Sequence, residues 1–275
     1  MSWMLKRGWK YLAMLAVSAF ALFPVYWVAI TSLKPRSEMY TRTPDLWPSD
    51  PQWHQYPRVL GEGHVGRALM NSLIVAGATT VICLLVGALA AYALTRFDIP
   101  LKRILMMLVL MTQMFPLVVL VIPLFVVMRN AQLLGTYFGL VVAYLAFTVP
   151  LAVWVMRGFL VGIPAELEHA ARTDGATRLG AMWRVMLPLA APGLATTAVL
   201  CFLEGWKEFM LALTFMNEES RKTLPVLLQS FVGRGDTDWG AIMATSVLYT
   251  LPVVIVFILL RKHLMQGTTA GAVKG

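Results

Sequence analysis

The sequence predicts an all-α polytopic membrane protein with six transmembrane helices, and three observations support that fold class. Long runs without a charged residue occur six times along the 275-residue chain. Hydrophobic residues make up 59% of the chain and charged residues only 13%, whereas a typical soluble domain carries about 25% charged residues. The net charge of +9 reflects Lys and Arg at the ends of these runs, which is usual beside membrane helices and gives no reason to expect nucleic-acid binding.

The six uncharged runs are interpreted as membrane spans because a helix needs about 20 apolar residues to cross about 30 Å of hydrocarbon. The predicted spans are residues 11–33, 68–95, 104–128, 130–156, 185–203 and 239–260. The first run is long enough to span and lacks a small-residue cleavage pattern, so we expect it to remain as an anchor. Cys83 and Cys201 fall inside spans without a partner nearby in the sequence, so we expect two small buried side chains and no disulfide.

The composition between and within these spans predicts local structure. The loop at 34–67 is polar and rich in Pro and Trp, and Trp side chains suit the headgroup level of a membrane. The second span is rich in Gly and Ala, which allow helices to approach closely where lipid provides no hydrophobic drive for association. The third span contains Pro116 and Pro123, which lack backbone donors and are expected to kink it.

The distribution of basic residues predicts the orientation of the chain. An even number of spans places both termini on one side of the membrane. When that side is the cytoplasm, the inner segments hold more Lys and Arg than the outer ones, as the positive-inside rule requires. We therefore expect cytoplasmic termini and three regions: a first helix with an extracytoplasmic loop at 1–66, a membrane core at 67–262 that includes the loop 157–187, and a cytoplasmic tail at 263–275.

A polar segment at 157–187 interrupts the apolar pattern after the fourth span. Pro164 suits the first turn of a helix, and the acidic residues Glu166 and Glu168 suit the positive end of the helix dipole. Gly175 is expected to end this helix, because a glycine just beyond a helix C-terminus adopts a positive φ without steric cost.

A second short helix is predicted near 177–186. It would place four apolar side chains on one face, those of Leu179, Met182, Trp183 and Met186. The residues therefore predict two short helices along the cytoplasmic surface, with an exposed edge of Ala and Gly. Such an edge suits close contact with another protein, and an amphipathic loop resting on lipid is the alternative.

Residues 168–176 read EHAARTDGA and are followed by Leu187-Pro188-Leu189 and Pro192. This pattern resembles the EAA signature of ABC-transporter importer permeases, E-A-A-x-x-D-G-A followed by L-P-L-x-x-P. The resemblance extends over nearly the whole chain and is strongest to the carbohydrate-importing, MalG-type branch with its maltose and trehalose permeases. The further segments that carry it are Ser32-Leu33-Lys34, Asn71-Ser72-Leu73, Ala90-Ala91-Tyr92-Ala93 with Arg96-Phe97, and the ending Gly271-Ala272-Val273-Lys274-Gly275.

The resemblance implies the type I ABC importer permease (MetI-like) fold and a transport subunit in the cytoplasmic membrane of a prokaryote. Such a subunit pairs with a second permease as a heterodimer, binds two ATPase subunits and receives a sugar from an extracytoplasmic binding protein. ATP and Mg would be bound by the ATPase, and this sequence contains no G-x-x-x-x-G-K-[ST] loop of its own. The implied cargo is a di- or oligosaccharide of the maltose/trehalose class, and the chain would be no enzyme, with no catalytic residue, metal or nucleic-acid partner.

The same resemblance implies where the ATPase would bind. The loop would act as a coupling helix, with contacts at Glu168, His169, Ala170, Ala171, Asp174 and Gly175. The tail would reach between the ATPase subunits through Gly271, Val273, Lys274 and Gly275. The family usually has Glu directly before the Ala-Ala pair, where this chain has His169, whose charge can follow pH. Glu168 lies one residue earlier, about 100° around the helix.

The fifth span is expected to continue past Glu204 to about residue 214. That would place Glu204, Lys207 and Glu208 within the membrane on one helical face, near Trp206. Charges at that depth normally face a protein interior or a water-filled path, so the cluster either borders a translocation path or forms an ion pair with the partner permease. The family has Asn at the place of Lys207, so direct sugar contact is not carried over.

Gln113 in the third span is a second polar candidate for the path, although a single amide often bonds between helices. Two alternatives to sugar import remain open. One is an ABC permease for a glycerol phosphodiester, an amino acid or a peptide, and the other is an ion-coupled secondary transporter that uses Glu204 or Glu208. A membrane enzyme is disfavoured because the sequence contains no recognisable arrangement of catalytic residues.

Overall fold

The computed structural model describes residues 2–61, 64–232 and 237–272, with side chains for residues 9–61, 64–232 and 237–264. The described residues are mostly helical, with one isolated bridge between Val232 and Thr237. The first seven helices are α1 (Ser2–Thr31), α2 (Arg36–Met39), α3 (Gln55–Gly61), α4 (Val65–Arg96), α5 (Lys102–Thr112), α6 (Leu117–Asn130) and α7 (Tyr137–Val161). The others are α8 (Ala165–Thr173), α9 (Arg178–Ala181), α10 (Leu187–Leu189), α11 (Ala191–Lys207), α12 (Met210–Phe215), α13 (Leu224–Ser230) and α14 (Trp239–Ala272).

Four continuous helical segments within the described residues are long and apolar enough to cross a membrane. They are Trp9–Thr31, Val65–Arg96, Tyr137–Val161 and Trp239–Leu264. Two further candidates are bent pairs: α5 and α6 meet at 96°, and the segment Arg178–Leu189 meets α11 at 80°. The all-α class is confirmed, and the six predicted spans are reached when each bent pair counts as one span.

The third span is not the single kinked helix predicted for 104–128. α5 ends at Thr112 and α6 begins at Leu117, directly after Pro116, whose ψ of 126 is extended. Proline removes a backbone donor and restricts the residue before it, so a helix can end there. Pro123, by contrast, lies inside α6 without ending it. The break therefore falls at one of the two prolines that were expected to kink the span.

The continuation of the fifth span to about residue 214 is also wrong. α11 ends at Lys207, and Glu208 has an extended backbone with ψ of 128. The Glu208 carboxylate accepts the backbone N–H of Leu211 at 2.8 Å and that of Ala212 at 3.1 Å. Because these donors belong to the first turn of α12, the side chain caps a new helix instead of extending the old one.

The chain forms two compact units. The first comprises residues 1–67 and 227–252, and the second comprises residues 68–226 and 253–275. In the first unit, the polar loop after α1 folds back onto the end of that helix through Lys34, which is only 2% exposed. The Lys34 ammonium donates to the Asp45 carbonyl at 2.6 Å and lies 4.6 Å from the ring centroid of Trp27. Arg58 and Asp238 form an ion pair at 2.7 Å.

In the second unit, small residues bring α4, α7 and α11 close together. A Cβ built at Gly87 would lie 2.8 Å from Cβ of Ala152, and one at Gly205 would lie 3.3 Å from Cα of Ala76. The predicted close approach is therefore confirmed at Gly87, whereas Gly77 on the same helix has no such atom within 4 Å. Helices in lipid associate through such close contacts because apolar burial alone does not favour association.

The two cysteines meet at the centre of this packing. Cys83 of α4 and Cys201 of α11 are fully buried and share a cluster with Ala152 of α7. The Cys83 sulfur also lies 2.9 Å from the hydroxyl of Thr148, and both thiols are free. Both cysteines are the small buried side chains that were expected, but the fold makes them neighbours, which their separation in the sequence does not reveal.

Candidate functional site

The loop between α7 and α11 begins with α8, whose ends follow the predicted signals. Pro164 precedes the first helical residue, and Gly175 follows the last turn with φ of +89. The Gly175 N–H donates to the Arg172 carbonyl at 3.1 Å, and the Ala176 N–H donates to the Ala171 carbonyl at 3.0 Å. These two bonds form a Schellman motif, so the prediction that Gly175 ends the helix is confirmed.

The second helix of the loop starts as predicted but has a different face. The Thr177 hydroxyl accepts the Gly180 N–H at 3.0 Å and caps α9, which continues into a π-helical turn at Met182–Met186. Met182 and Met186 are fully buried, whereas Leu179 and Trp183 are about half exposed. The common face predicted for these four residues is therefore wrong. Within Met182–Met186, the π turn changes the angle between Trp183 and Met186 around the helix from the α-helical value assumed.

Glu168 lies on the inner side of α8. The residue is 5% exposed, and one carboxylate oxygen accepts the Tyr92 hydroxyl at 2.6 Å. The other oxygen lies 3.2 Å from Nε of Arg96. Glu168 is thus an internal anchor of α8, although the resemblance places it among the ATPase contacts. Its orientation follows from the two polar side chains in the last turns of α4.

The outer side of α8 carries the other residues of the predicted contact. His169, Ala170, Asp174 and Gly175 are exposed, and Ala171 is partly exposed. No neighbouring atom lies within 4 Å of a Cβ built at Gly175. Small side chains and open space allow another protein to approach the backbone closely. The edge of Ala and Gly inferred from the sequence is therefore present on the exposed side of α8. On the opposite side of this helix, Glu168 contacts α4.

The charged residues of the fifth span separate into two groups. Lys207 and Glu204 form an ion pair at 2.8 Å, with both side chains substantially exposed. Trp206 is buried and stacks on Phe202 with ring centroids 5.3 Å apart. Because Glu208 caps α12, it does not share a helical face with the other two charges, and that part of the prediction is wrong. The structure brings together only Glu204 and Lys207.

Gln113 and the tail add little to this site. The Gln113 amide donates to the Phe147 carbonyl of α7 at 2.8 Å, which is the helix-to-helix bond considered as the alternative. Gly271 lies near the end of α14, while Val273, Lys274 and Gly275 lie outside the described residues, so the tail contact stays a prediction. Among the described residues, no group of three or more His, Cys, Asp or Glu could hold a metal ion.

A polar network at the start of α4 was not assigned a role from the sequence. The Asn71 amide donates to the carbonyls of Ser220 at 3.0 Å and Lys222 at 2.9 Å, and its oxygen accepts the Tyr137 hydroxyl at 2.7 Å. The Ser72 hydroxyl accepts the Leu224 N–H at 2.8 Å. The signal that could have revealed this network is the pair of polar residues just inside an apolar run.

The described helices, together with an exposed helix anchored between two spans, define a polytopic membrane permease. The family of binding-protein-dependent transport system inner membrane components matches residues 83–269, and the chain belongs to this family. The resemblance seen in the EAA-like run is thereby confirmed. The exposed small residues of α8 lie within the matched region.

Individual relatives cover nearly the full chain. The trehalose transport system permease protein SugB of Mycobacterium tuberculosis is 38% identical over 97% of each chain. The sulfoquinovosyl glycerol transport system permease protein SmoH of Agrobacterium fabrum is 35% identical, over 92% of this chain and 89% of its own. A crystal structure of a bacterial ABC transporter involved in import of the acidic polysaccharide alginate matches with a TM-score of 0.77 and 25% identity, over 95% of this chain and 97% of the other.

Proposed function

We propose that this chain is the permease subunit of an ATP-driven ABC importer for a di- or oligosaccharide, with the maltose/trehalose class favoured. The observation that carries the proposal is the exposed edge of α8, His169 to Gly175, in a chain of this transport family. Trehalose, sulfoquinovosyl glycerol and alginate are saccharides or glycosides named for relatives. Their shared chemistry supports carbohydrate over peptide or amino-acid cargo.

The assembly that fits this proposal has four further subunits. A second permease forms a heterodimer with this chain, and two ATPase subunits hold ATP and Mg, one of them binding the coupling loop 157–187 of this chain. An extracytoplasmic protein delivers the sugar. Both termini lie in the cytoplasm, with the core at 67–262 and the tail, including Gly271 and Lys274, reaching the ATPase. Many large apolar side chains of α1 and α6 are exposed in the single chain. Such surfaces suit contact with lipid and with the second permease.

The Glu204–Lys207 pair borders the translocation path or contacts the second permease. Both side chains are substantially exposed on this chain, and exposure of charge to lipid is costly, so water or protein must cover them. We expect Lys207→Met to lower sugar uptake several-fold with assembly retained, because the carboxylate of Glu204 would lose its partner. Unchanged uptake by the assembled variant would remove a role in transport for this pair.

The proposed function is tested with the assembled complex in proteoliposomes. Uptake of trehalose and maltose should require the binding protein and ATP, and each sugar that is transported should stimulate ATP hydrolysis. Ala170→Trp should abolish ATPase binding and uptake, because a bulky side chain would block the exposed edge. Ala131→Trp, at an exposed position after α6, is the matched control. Uptake driven by an ion gradient without the ATPase would overturn the proposal.

A further inference from the structure

We propose that Tyr92 and Arg96 of α4 are positioning residues that transmit the displacement of α8 into the membrane part of the chain through Glu168. This inference rests on the proposed function, in which an ATPase moves α8. It gives Glu168 an internal role distinct from the ATPase contact that the resemblance implies. We call the three side chains of Tyr92, Arg96 and Glu168 the coupling clamp.

The clamp holds α8 by its first turn. The Tyr92 hydroxyl donates to one Glu168 oxygen at 2.6 Å, and Arg96 Nε lies 3.2 Å from the other. The side chains of Arg96 and Glu168 are 12% and 7% exposed. Interactions between charges are stronger in such a setting than at an exposed surface, since water screens them less. Removing one partner leaves the other charge buried without compensation.

The same two side chains of α4 also reach the segments on either side of α8. An Arg96 Nη2 group donates to the Ile163 carbonyl, just before α8, at 2.6 Å and lies 3.8 Å from the Met186 sulfur. The Tyr92 hydroxyl lies 3.3 Å from the carbonyl of Arg178 in the next helix. A displacement of the loop therefore acts on α4 at several points and not through the chain connections alone.

The inner end of α4 is well placed to pass this displacement onward. α4 is one uninterrupted helix from Val65 to Arg96. Between Tyr92 and the middle of this helix, Gly87 packs against Ala152 of α7. The rings of Phe97 and Tyr92 pack edge to face, with centroids 6.0 Å apart. The Arg178 guanidinium lies over the Phe97 ring, 4.8 Å from its centroid. A helix that is continuous and closely packed moves as a body when its end is displaced.

The first test measures whether α8 and α4 move together. Spin labels are placed at Glu166 on α8, which lies outside the edge His169 to Gly175, and at Val81 on α4, both exposed, in the assembled complex in nanodiscs. We expect the label-to-label distance to stay constant between the nucleotide-free and ATP-bound states, and to change or broaden in Glu168→Gln. A wild-type distance that changes by several ångströms on ATP binding would overturn the inference.

The second test separates coupling from folding. Complexes that carry Glu168→Gln or Tyr92→Phe should bind the ATPase as the wild type does and should still hydrolyse ATP. The sugar transported per ATP should fall about ten-fold in Glu168→Gln and about three-fold in Tyr92→Phe. Arg96→Lys should retain more transport per ATP than Arg96→Met, because it keeps the charge.

Glu166→Gln is the matched control, since it makes the same change at an exposed position of the same helix. Normal transport per ATP in all clamp variants, or a loss of ATPase binding that accounts for the lost transport, would refute the clamp. Failure of the wild-type complex to import sugar with ATP would instead refute the proposed function.

Discussion

At the scale of single residues, the contact between α11 and α7 fixes the identity of Gly193. This residue is buried in the first turn of α11, and a Cβ there would lie 2.6 Å from Cγ and 2.7 Å from Cβ of Phe159. Rotation of the ring cannot relieve a clash with its own Cβ. We expect Gly193→Ala to lower the free energy of unfolding by about 1–3 kcal/mol, the range for overpacked cores, measured by denaturation of the purified protein in detergent.

Gly77 provides the control for this prediction. It lies in the middle of α4 with no neighbouring atom within 4 Å of a built Cβ. Gly77→Ala should be neutral or should raise stability by up to about 1 kcal/mol, because alanine favours the helix. Equal stability of the two variants would mean that α7 and α11 do not approach each other as closely as the structure has them.

Residues of the candidate site were predictable when their role depends on near neighbours in the chain. Gly175 ends α8 through two bonds, from its own N–H to the Arg172 carbonyl and from the Ala176 N–H to the Ala171 carbonyl, so its signal lies within a few positions. Glu168 faces inward because Tyr92, separated from it by 76 positions, donates to it. Helical spacing predicts the angle between Glu168 and His169 but not which of the two faces the interior.

Among the elements, the segment at 218–224 depends on the network around Asn71. That residue donates to the carbonyls of Ser220 and Lys222 and accepts from Tyr137. Asn71→Ala should destabilise this attachment by about 1–3 kcal/mol, because three polar groups lose their partner. We expect faster hydrogen exchange at the Leu224 amide, which the adjacent Ser72 hydroxyl holds.

The control for this variant is Asn130→Ala, at the exposed end of α6. Its exchange at Leu224 should match that of the wild type. If Asn71→Ala also left this exchange unchanged, the attachment of the segment would not depend on Asn71.

The existence of the helices was predictable, but the shape of two spans was not. Hydropathy locates a span because the backbone must satisfy its own hydrogen bonds within lipid. It does not reveal that Pro116 lies at a break between two helices while Pro123 is tolerated within one, since that difference depends on the packing of neighbouring residues. Hydropathy also does not reveal that Glu208 caps α12. The spacing of Glu204, Lys207 and Glu208 is equally compatible with one continuous helix of about 3.6 residues per turn.

For the whole molecule, the sequence predicts the all-α class and the family but not the surfaces that partners cover. Only 6% of the membrane window in α1 is buried within the chain, against 44% in α7. A hydrophobic run of sufficient length is the same signal in both cases. Which of these helices face lipid and which face another protein is therefore decided by chains whose residues are not part of this sequence.

The orientation of the whole molecule can be tested with single cysteines, because both native cysteines are fully buried and should react little with a membrane-impermeant maleimide. Glu219→Cys places a thiol at an exposed position between the fifth and sixth spans, and Thr173→Cys places one at the exposed end of α8. With cytoplasmic termini, Glu219→Cys should be labelled in intact cells and Thr173→Cys only after permeabilisation. The reverse pattern would invert the orientation and would place α8 on the side of the membrane where no ATP-hydrolysing subunit could bind it.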